Sequence, residues 1–510
     1  MAWNTHKIYR MGEGIERRVV SNNPEYPRGA MWDLLNMVYE RDQEEPEKMR
    51  GCTQVGSTAR GGRITGLFDY KEGTRLIACS SDGKVSERAT GDWSQSTNGT
   101  GFSTNVDVRW SGTMFYGATT AENLLILANG VDSPKKYTSS AGVSALGGSP
   151  PSAGNFPVSF MGRLWLAKGD TLSYSDVSDA EDFAGGGSIQ VDRGSGDITG
   201  LYVFMGNLLV FKRRKIFRLL PTTRLSETSV REVSAMVGTV SHQTIKEGKD
   251  SLLFFENENG IGGIVPTSAT GGFRVIDTAE PIKRILDRRS RGNQSTAFGV
   301  YYEDRDEYWM QYGTATTTPS EGVICNTSRG SRKLRWTRND RAKLTAGTVY
   351  RSSGAELHIV GDADGNVWEM HSGDSWLGTL DYTARIQTPA YTQGEMGHMK
   401  TYGRLFGDYE ANGYYNVTVK MQLGRIGLPA PAGSNVNLND LGSNEGFGEG
   451  AWGTAQWGGA ALSGGRHVRP FKVNRGSWIR YMIETGGKDQ WFKLNGLIQD
   501  YFMGSAQIAA

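Results

Sequence analysis

The residues that could carry out chemistry in this chain are few and scattered. The six histidines are spread from His6 to His467, and the sequence contains neither H-E-x-x-H nor G-x-S-x-G. Gly83-Lys84 is followed by Val85 rather than serine or threonine, so it does not end a phosphate-binding Walker loop. His358 lies in an apolar stretch typical of a buried strand. The sequence therefore indicates no enzyme and no cofactor.

One acidic stretch resembles the start of a calcium-binding loop. It reads Asp362-Ala-Asp364-Gly-Asn366, but the glutamate expected six residues after the glycine is replaced by His371. A similar turn recurs at Ser81-Asp-Gly-Lys84, and aspartate and asparagine tolerate the left-handed backbone of tight hairpins. A hairpin turn explains both stretches, and no metal site is expected.

Two basic clusters are the remaining candidates for a functional surface. A solvated turn or subunit contact is the commoner explanation of such clusters, and contact with DNA phosphates is the other. The candidate residues for subunit or DNA contact are Lys212, Arg213, Arg214 and Lys215 in the first cluster and Arg329, Arg332, Lys333 and Arg335 in the second, which continues through Arg338 and Arg341 to Lys343.

The overall composition excludes several classes of protein. Lys and Arg total 56 against 54 Asp and Glu, a net charge of +2, whereas a dedicated nucleic-acid binder normally has a strong basic excess. Three cysteines in 510 residues cannot form a disulfide framework and favour synthesis in a reducing cytosol. The N-terminus lacks an apolar signal-peptide core, and apolar runs such as Leu252–Phe255 are too short to span a bilayer.

The elements that position these residues follow an internal repeat. Seven times, an apolar strand is followed by a polar or Gly/Asp turn and a second strand, at intervals of 40 to 56 residues. The aligned positions are Leu76, Leu124, Leu164, Leu208, Leu252, Tyr308 and Leu357. Repeats of this length, with 69 glycines for tight turns, are typical of β-propeller blades. We expect about seven blades over residues 61–375; six or eight blades and a solenoid of the same hairpins are the alternatives.

The rest of the chain is expected to form two smaller parts. Residues 1–60 are an N-terminal segment with a candidate helix at 28–38, and a second helix at 278–289 is expected to be capped by Thr278. Apolar and polar residues alternate over 415–422 and 479–484, which predicts a half-buried antiparallel sheet. Residues 376–510 should therefore form a C-terminal β-sandwich-like domain with a long Gly-rich loop, ordered against a partner, between Pro429 and Gly465.

Several stretches of the chain resemble the tail nozzle (stabilisation) proteins of short-tailed bacteriophages. They are Asp197-Ile-Thr-Gly-Leu-Tyr-Val-Phe-Met-Gly-Asn-Leu-Leu-Val-Phe-Lys212, Val237-Gly-Thr-Val-Ser-His-Gln-Thr-Ile245, Leu252-Leu-Phe-Phe-Glu-Asn-Glu-Asn-Gly-Ile261, Arg28-Gly-Ala-Met-Trp-Asp-Leu-Leu-Asn-Met-Val-Tyr-Glu-Arg41 and Phe492-Lys-Leu-Asn-Gly-Leu-Ile-Gln-Asp-Tyr501. The resemblance is one of pattern over most of the chain. The Gly-rich stretch 442–465 and the Thr-rich insert at 313–319 do not match it.

This resemblance implies a structural subunit of the virion tail, assembled in the bacterial host cytoplasm. Its copies, expected to number six, would form a ring that prolongs the DNA conduit and closes the distal tail. The implied partners are further copies of the chain, tail adaptor and portal-side proteins, tail fibres or spikes and, transiently, genomic DNA. The alternatives are a tail-tip or host-surface-binding module and, less favoured, a glycan-hydrolysing propeller enzyme.

The repeat also predicts where the first basic cluster lies. Lys212–Lys215 aligns with the turns at residues 81–84 and 362–365, which places it at a hairpin tip. Four adjacent cations repel one another on a free surface. We therefore expect them to face an acidic surface of a neighbouring subunit, with DNA as the alternative partner.

Overall fold

A computed structural model shows an all-β chain folded as two compact units. The structure describes all residues except 1–3, 22, 24, 120–122, 221–229, 268–271, 315, 317, 341–342, 353, 374, 379, 395–397, 412–416, 425–433, 438–464, 470–473, 488–489 and 507–510. One unit comprises residues 53–323 and 341–370, and the other comprises residues 1–52, 324–340 and 371–510. No helix in the described part of the chain is long and apolar enough to cross a bilayer.

The larger unit is a β-propeller with seven blades, as the repeat predicts. Blades 1 to 5 and blade 7 are each a four-stranded antiparallel sheet, and the three antiparallel strands of blade 6 belong to a nine-stranded sheet. The strands are Ile64–Tyr70, Arg75–Ser80, Lys84–Arg88 and Ser94–Gln95 in blade 1; Ser111–Phe115, Leu124–Ala128, Lys135–Thr138 and Gly142–Ala145 in blade 2; Asn155–Phe160, Arg163–Lys168, Thr171–Tyr174 and Gly187–Gln190 in blade 3; Ile198–Phe204, Asn207–Lys212, Ile216–Leu219 and Val230–Ser234 in blade 4; Lys246–Gly248, Leu252–Asn257, Gly260–Thr267 and Gly272–Asp277 in blade 5; Phe298–Tyr302, Glu307–Tyr312 and Glu321–Asn326 in blade 6; and Leu344–Ser352, Ala355–Asp362 and Val367–Met370 in blade 7.

The blades form a closed ring. The first strands of blades 7 and 1 contact each other, as do those of blades 1 and 2, 2 and 3, 3 and 4, 5 and 6, and 6 and 7. The outermost strand of blade 7 is Cys52–Gln54, from the N-terminal part of the chain. Val55 extends this pairing by donating its backbone N–H to the carbonyl of Val367 at 2.8 Å. A strand that precedes blade 1 in sequence therefore completes the last blade as its fourth strand.

The core of the propeller is a series of apolar layers between neighbouring blades. Leu76 of blade 1 packs in one cluster with Ile359 of blade 7, and Trp165 of blade 3 packs in another with Val210 of blade 4. Between blades 5 and 6, the rings of Phe254 and Tyr308 stack with centroids 4.4 Å apart. Each blade buries both faces only because a neighbour covers each of them.

Glycines in the innermost strands allow the blades to converge. A Cβ atom on Gly66 of blade 1 would lie 2.7 Å from Cβ of Trp110 at the start of blade 2. A Cβ atom on Gly347 of blade 7 would lie 2.5 Å from Cγ2 of Val300 in blade 6. These distances are shorter than a van der Waals contact, so side chains at these positions would push neighbouring blades apart. Part of the glycine excess therefore serves close approach of strands rather than turns.

Hydroxyl groups at the start of the innermost strands link one blade to the next. Oγ1 of Thr345 in blade 7 donates to the carbonyl of Ile64 in blade 1 at 2.6 Å. Oγ1 of Thr199 in blade 4 donates at 2.8 Å to the carbonyl of Thr239, which precedes blade 5. Oγ of Ser241, which precedes blade 5, donates at 2.7 Å to the carbonyl of Ala297, which precedes blade 6. These bonds satisfy carbonyl groups that would otherwise be buried without a donor.

The second unit is a sandwich of two β-sheets, as expected for the C-terminal part. One sheet contains Asn4–Tyr9, Met37–Tyr39, Pro46–Lys48, His398–Ala411, Gly465–Arg469, Asn474–Gly476 and Phe492–Ala506, and the other contains Asp33–Leu35, Arg335–Asn339, Ala384–Gln387, Thr418–Gly424, Ser434–Asn437 and Trp478–Thr485. The hydroxyl of buried Tyr481 in the second sheet donates to Oε1 of Gln499 in the first at 3.2 Å. Burial alternates along Trp478–Thr485, as the sequence predicts.

The N-terminal segment belongs to this sandwich and is not a separate part of the fold. Asn4–Tyr9 pairs with the last strand of the chain, and Glu47 lies opposite Lys493. The compact units therefore differ from the predicted segments 1–60, 61–375 and 376–510, because strands from both ends of the chain complete one sheet. The predicted loop between Pro429 and Gly465 lies almost entirely outside the described residues.

The helix predicted at residues 28–38 is wrong. This segment contains the strands Asp33–Leu35 and Met37–Tyr39, and all six of their residues are buried. Asp33–Leu35 pairs with Ala384–Gln387, so apolar contacts on both faces favour a strand over an amphipathic helix.

The other predicted helix exists in shorter form, as a 3₁₀ turn at Glu280–Ile282 followed by an α-helical turn at Lys283–Leu286. Further 3₁₀ turns lie at His242–Thr244, Lys249–Ser251, Arg291–Thr296 and Glu303–Arg305. Thr278 does not cap the helix, because its hydroxyl donates to the carbonyl of Ile261 at 2.8 Å.

Candidate functional site

The first basic cluster lies at a hairpin of blade 4, where the repeat places it. Lys212 ends one strand, Ile216 begins the next, and Arg213 and Arg214 occupy the turn. Lys212 is nevertheless fully buried, at 0 % exposure. Its ammonium donates to the carbonyl of Asp192 and to Oγ of Ser195, both at 2.9 Å, and burial lowers the pKa of this lysine. Lys212 therefore anchors the preceding loop and is not a surface cation.

The other three cations of this cluster have acidic partners within the same chain. Nζ of Lys215 lies 2.6 Å from Oδ2 of Asp192, and this hydrogen bond raises the pKa of the lysine. Arg213 and Arg214 share Glu258, with Nε–O distances of 2.5 and 2.9 Å. The counter-charges of these three cations therefore come from the same chain, and their predicted contact with a neighbouring subunit or with DNA stays a prediction. Arg213 and Arg214 remain 60 % and 73 % exposed and are the part of the cluster that a second molecule could reach.

Two of the candidates in the second cluster hold the sandwich unit together. Arg335 is 2 % exposed, and its guanidinium lies 4.4 Å from the centre of the Tyr39 ring. It donates to Oδ1 of Asn326 at 2.7 Å and to Oγ of Ser328 at 2.9 Å. Arg329 lies 3.4 Å from a carboxylate oxygen of Glu44. Neither side chain is positioned to contact DNA.

The neighbouring basic residues are also largely paired. Nε and Nη2 of Arg338 each lie 2.6 Å from one carboxylate oxygen of buried Asp33, a bidentate arrangement. In the propeller unit, Lys343 pairs with Asp364 at 2.8 Å. Arg341 lies outside the described residues. Four of the five residues of the strand Arg335–Asn339 are buried, and no alternation of apolar and polar residues marked this strand in the sequence.

Arg332 and Lys333 are the candidates of this cluster that remain exposed. They lie in the turn before the strand Arg335–Asn339, and neither forms an ion pair within the described residues. Two adjacent cations without acidic partners are suited to meet an acidic surface or a phosphate backbone. Of the eight predicted contact residues, Arg332, Lys333, Arg213 and Arg214 thus keep an accessible charge.

The acidic stretch beginning at Asp362 is a hairpin turn. Oδ1 of Asp362 accepts the backbone N–H groups of Asp364 and Asn366 at 2.9 and 2.8 Å. Oδ2 accepts Nε1–H of Trp368 at 2.8 Å, and Gly365 has φ +87°. The carboxylate is 1 % exposed and its oxygens already accept donors within the turn, so the arrangement matches the hairpin interpretation.

The axial channel of the propeller is a feature that the sequence did not indicate. The innermost strands enclose a cavity of about 450 Å³, to which six of the seven blades contribute. Its polar lining includes Asp69 of blade 1, Thr113 of blade 2, Ser159 of blade 3 and Lys246 of blade 5. A ring of strands creates this cavity only after the first and last blades have joined, so no local motif marks it.

Two hydrogen bonds cross the channel where the innermost strands begin. The Gln243 amide, directly before blade 5, donates to the carbonyl of Trp110 at the start of blade 2 at 2.5 Å. Nη2 of Arg109, also before blade 2, donates to the carbonyl of Thr296 before blade 6 at 3.2 Å. These blades are not neighbours in the ring, so the side chains span the axis. A DNA duplex cannot pass between groups in hydrogen-bond contact, and this end of the channel is closed to it.

Comparisons with known proteins add little to this geometry. No protein-family model matches the chain, and no curated protein matches it. Among solved structures, the chain is similar to the computationally designed protein Ika8 (12 % identity, 63 % of this chain and 99 % of the other, TM-score 0.39). It is also similar to the β-propeller domain of Cps50 (Swd1) from Myceliophteria thermophila (12 %, 64 % and 99 %, 0.42) and to the WD40 β-propeller domain of Doa1 (12 %, 63 % and 97 %, 0.40). At these TM-scores the similarities carry no argument, and the propeller is defined by the strand pairing within its seven blades.

Proposed function

We propose that this protein is a structural, non-catalytic subunit of a bacteriophage tail, whose copies assemble into a ring-shaped nozzle that extends the DNA conduit. The proposal rests on the resemblance to nozzle proteins, and one structural observation supports it most. The stretches that resemble the opening and closing segments of that family, 28–41 and 492–501, belong to the same sandwich unit.

Each of these two segments contributes a strand to the same sheet. Met37–Tyr39 pairs with Pro46–Lys48, and that strand pairs in turn with Phe492–Ala506. In register, Met37 lies opposite Lys48 and Glu47 lies opposite Lys493. Segments that resemble a family at both ends of a chain and are joined by one intervening strand are more consistent with shared architecture than with chance similarity.

The closed channel limits where DNA could pass in such a nozzle. Because Gln243 and Arg109 cross the axis of the propeller, DNA would not thread through a single subunit. The conduit would instead lie between subunits, along the axis of the ring. Arg332 and Lys333 are then candidates for a subunit contact or for the wall of the conduit.

Assembly of the full-length chain tests this proposal. Mass photometry and negative-stain electron microscopy should reveal closed rings, with six copies expected, and an axial opening wide enough for duplex DNA. A particle that remains a monomer or dimer at micromolar concentration, alone and with the tail adaptor of the same phage, would contradict the nozzle. Location of the protein at a fibre tip instead of below the portal would favour the host-binding alternative.

A pair of matched variants tests the exposed basic residues. Arg332→Ser with Lys333→Ser should weaken ring assembly in a salt-dependent manner if these residues contact an acidic surface of another copy. Lys283→Ser with Arg284→Ser removes two adjacent exposed cations from the short helix of the propeller and serves as the control. If rings form normally but DNA release is altered, the pair lines the conduit. If assembly and release are both normal, neither role holds.

A further inference from the structure

We propose that the axial cavity of the propeller binds a small oxyanion, with a phosphate or carboxylate group, at Lys246. The cavity has a volume of about 450 Å³, which is within the range of small-molecule sites. Rigid strands of six blades form its wall, so the site is present before a ligand arrives. This inference does not depend on the role of the protein in a tail.

Lys246 places a cation in this wall without a counter-charge. It begins the innermost strand of blade 5 and lines the cavity. Within the described residues its ammonium has neither an ion pair nor a hydrogen bond to a side chain or carbonyl. Burial lowers the pKa of Lys246 to about 8, and no carboxylate acts to raise it. The Lys246 side chain is half-buried in this wall, and a bound anion would supply the counter-charge that its ammonium lacks.

His242 supplies a second donor beside this lysine. Its ring also lines the cavity, and its Nδ1 atom is buried without a hydrogen-bond partner in the described part of the chain. Burial, together with the charge of Lys246, lowers the pKa of His242 to about 3. At neutral pH the imidazole is therefore uncharged and presents one N–H donor and one acceptor. The hydroxyl of Ser159, in the same wall, can add a further donor to an oxyanion.

The remaining charges favour an anion over a cation at this end of the channel. Asp69 is the carboxylate among the lining residues that the structure describes, and it accepts the backbone N–H groups of Gly73 and Arg351 at 2.7 and 3.2 Å. The charge of Asp69 does not shift the pKa of Lys246. Arg109 lies at the closed end, and its Nε and Nη1 atoms are buried without partners in the described chain. The charges that act on Arg109 are those of Arg63 and Asp107, so two cations face one carboxylate at the closed end.

Titration of the full-length protein with inorganic phosphate tests the site. Isothermal titration calorimetry, at an ionic strength held constant with sodium chloride, should show saturable binding of one phosphate per chain. A parallel titration with acetate distinguishes the two ligand classes: phosphate alone assigns the site to phosphate groups, and acetate binding extends it to carboxylates. The absence of saturable binding for both ions overturns the proposal.

Three variants locate the binding. Lys246→Met should weaken phosphate binding at least tenfold, whereas Lys246→Arg should retain it. Lys283→Met removes an exposed cation from the propeller and should bind like the wild type. Circular dichroism verifies that each variant is folded, and His242→Asn provides a second test, with a several-fold loss expected, if Lys246→Met does not fold. Equal phosphate affinity in the wild type and either folded site variant would show that the anion binds elsewhere and would overturn the proposal.

Discussion

Buried His358 should make the propeller sensitive to acid. The imidazole is 1 % exposed in blade 7, with its ring centre 5.1 Å from that of Trp309 and 5.6 Å from that of Tyr302. Burial lowers its pKa from 6.5 to about 3. The folded protein thus holds the neutral form, while the unfolded chain takes up a proton below pH 6.5. The stabilisation is therefore present above pH 6.5 and is lost as the pH falls.

The size of this effect follows from the two pKa values. Each pH unit below the unfolded pKa costs about 1.4 kcal/mol per histidine, as long as the pH stays above the folded pKa. Between pH 7.5 and pH 4.5, His358 should therefore lower the free energy of unfolding by about 2.5 kcal/mol. His358→Phe keeps an aromatic ring between Tyr302 and Trp309 but cannot take up a proton.

The assay compares urea unfolding of the wild type and His358→Phe at several pH values. The difference between the two proteins should change by about 2.5 kcal/mol in favour of the variant between pH 7.5 and pH 4.5, because contributions from other groups cancel in the comparison. His242 is present in both proteins, so its contribution to the pH dependence of stability cancels in the comparison. A difference that does not vary with pH, or an NMR titration of His358 with a midpoint near 6.5, would refute the reasoning.

Three further substitutions are each measured by urea or thermal unfolding. Two of them test contacts between neighbouring blades, and the third tests a residue with a left-handed backbone conformation. Thr345→Val removes the hydrogen bond to the carbonyl of Ile64 at nearly constant volume and should lower the free energy of unfolding by about 1–2 kcal/mol. An unchanged free energy of unfolding would show that this hydrogen bond does not stabilise the propeller. Gly347→Ala places a Cβ 2.5 Å from Cγ2 of Val300 and should cost about 1–3 kcal/mol, with partial rescue by Val300→Ala; a neutral effect without rescue would contradict the close approach. Met205→Asn should instead stabilise the chain by about 0.5–1 kcal/mol, because this exposed residue has φ +48° and asparagine tolerates that conformation better; destabilisation would argue that the methionine makes a contact of its own.

The repeat was sufficient to predict the propeller because its signal is local and recurs. Strand-turn-strand units such as Asn207–Leu219 fix their own pairing through turn chemistry and alternation. The hairpin position of Lys212–Lys215 was predictable for the same reason. The alternation in Trp478–Thr485 likewise predicted a sheet with one face buried. These features depend on residues that are close in sequence.

Residues 28–38 show where local patterns are insufficient. Spacing of apolar residues such as Leu34, Leu35 and Val38 suits either a helix or a buried strand. Pairing with residues 384–387 and 46–48 decides between them, and that pairing joins distant parts of the chain. The outermost strand of blade 7 has the same origin, since Cys52–Gln54 pairs with a strand about 300 positions further along the chain.

The sequence by itself determined the blade repeat, the number of cations in each cluster and the turn that carries Lys212–Lys215. Only the tertiary structure decided what those charges do, because their partners are remote in sequence. Arg213 meets Glu258 across 45 positions, and Arg338 meets Asp33 across 305. The axial cavity with Lys246 likewise exists only after the ring has closed. Charge and periodicity are properties of residue order, whereas counter-charge, burial and enclosure depend on which distant segments the fold brings into contact.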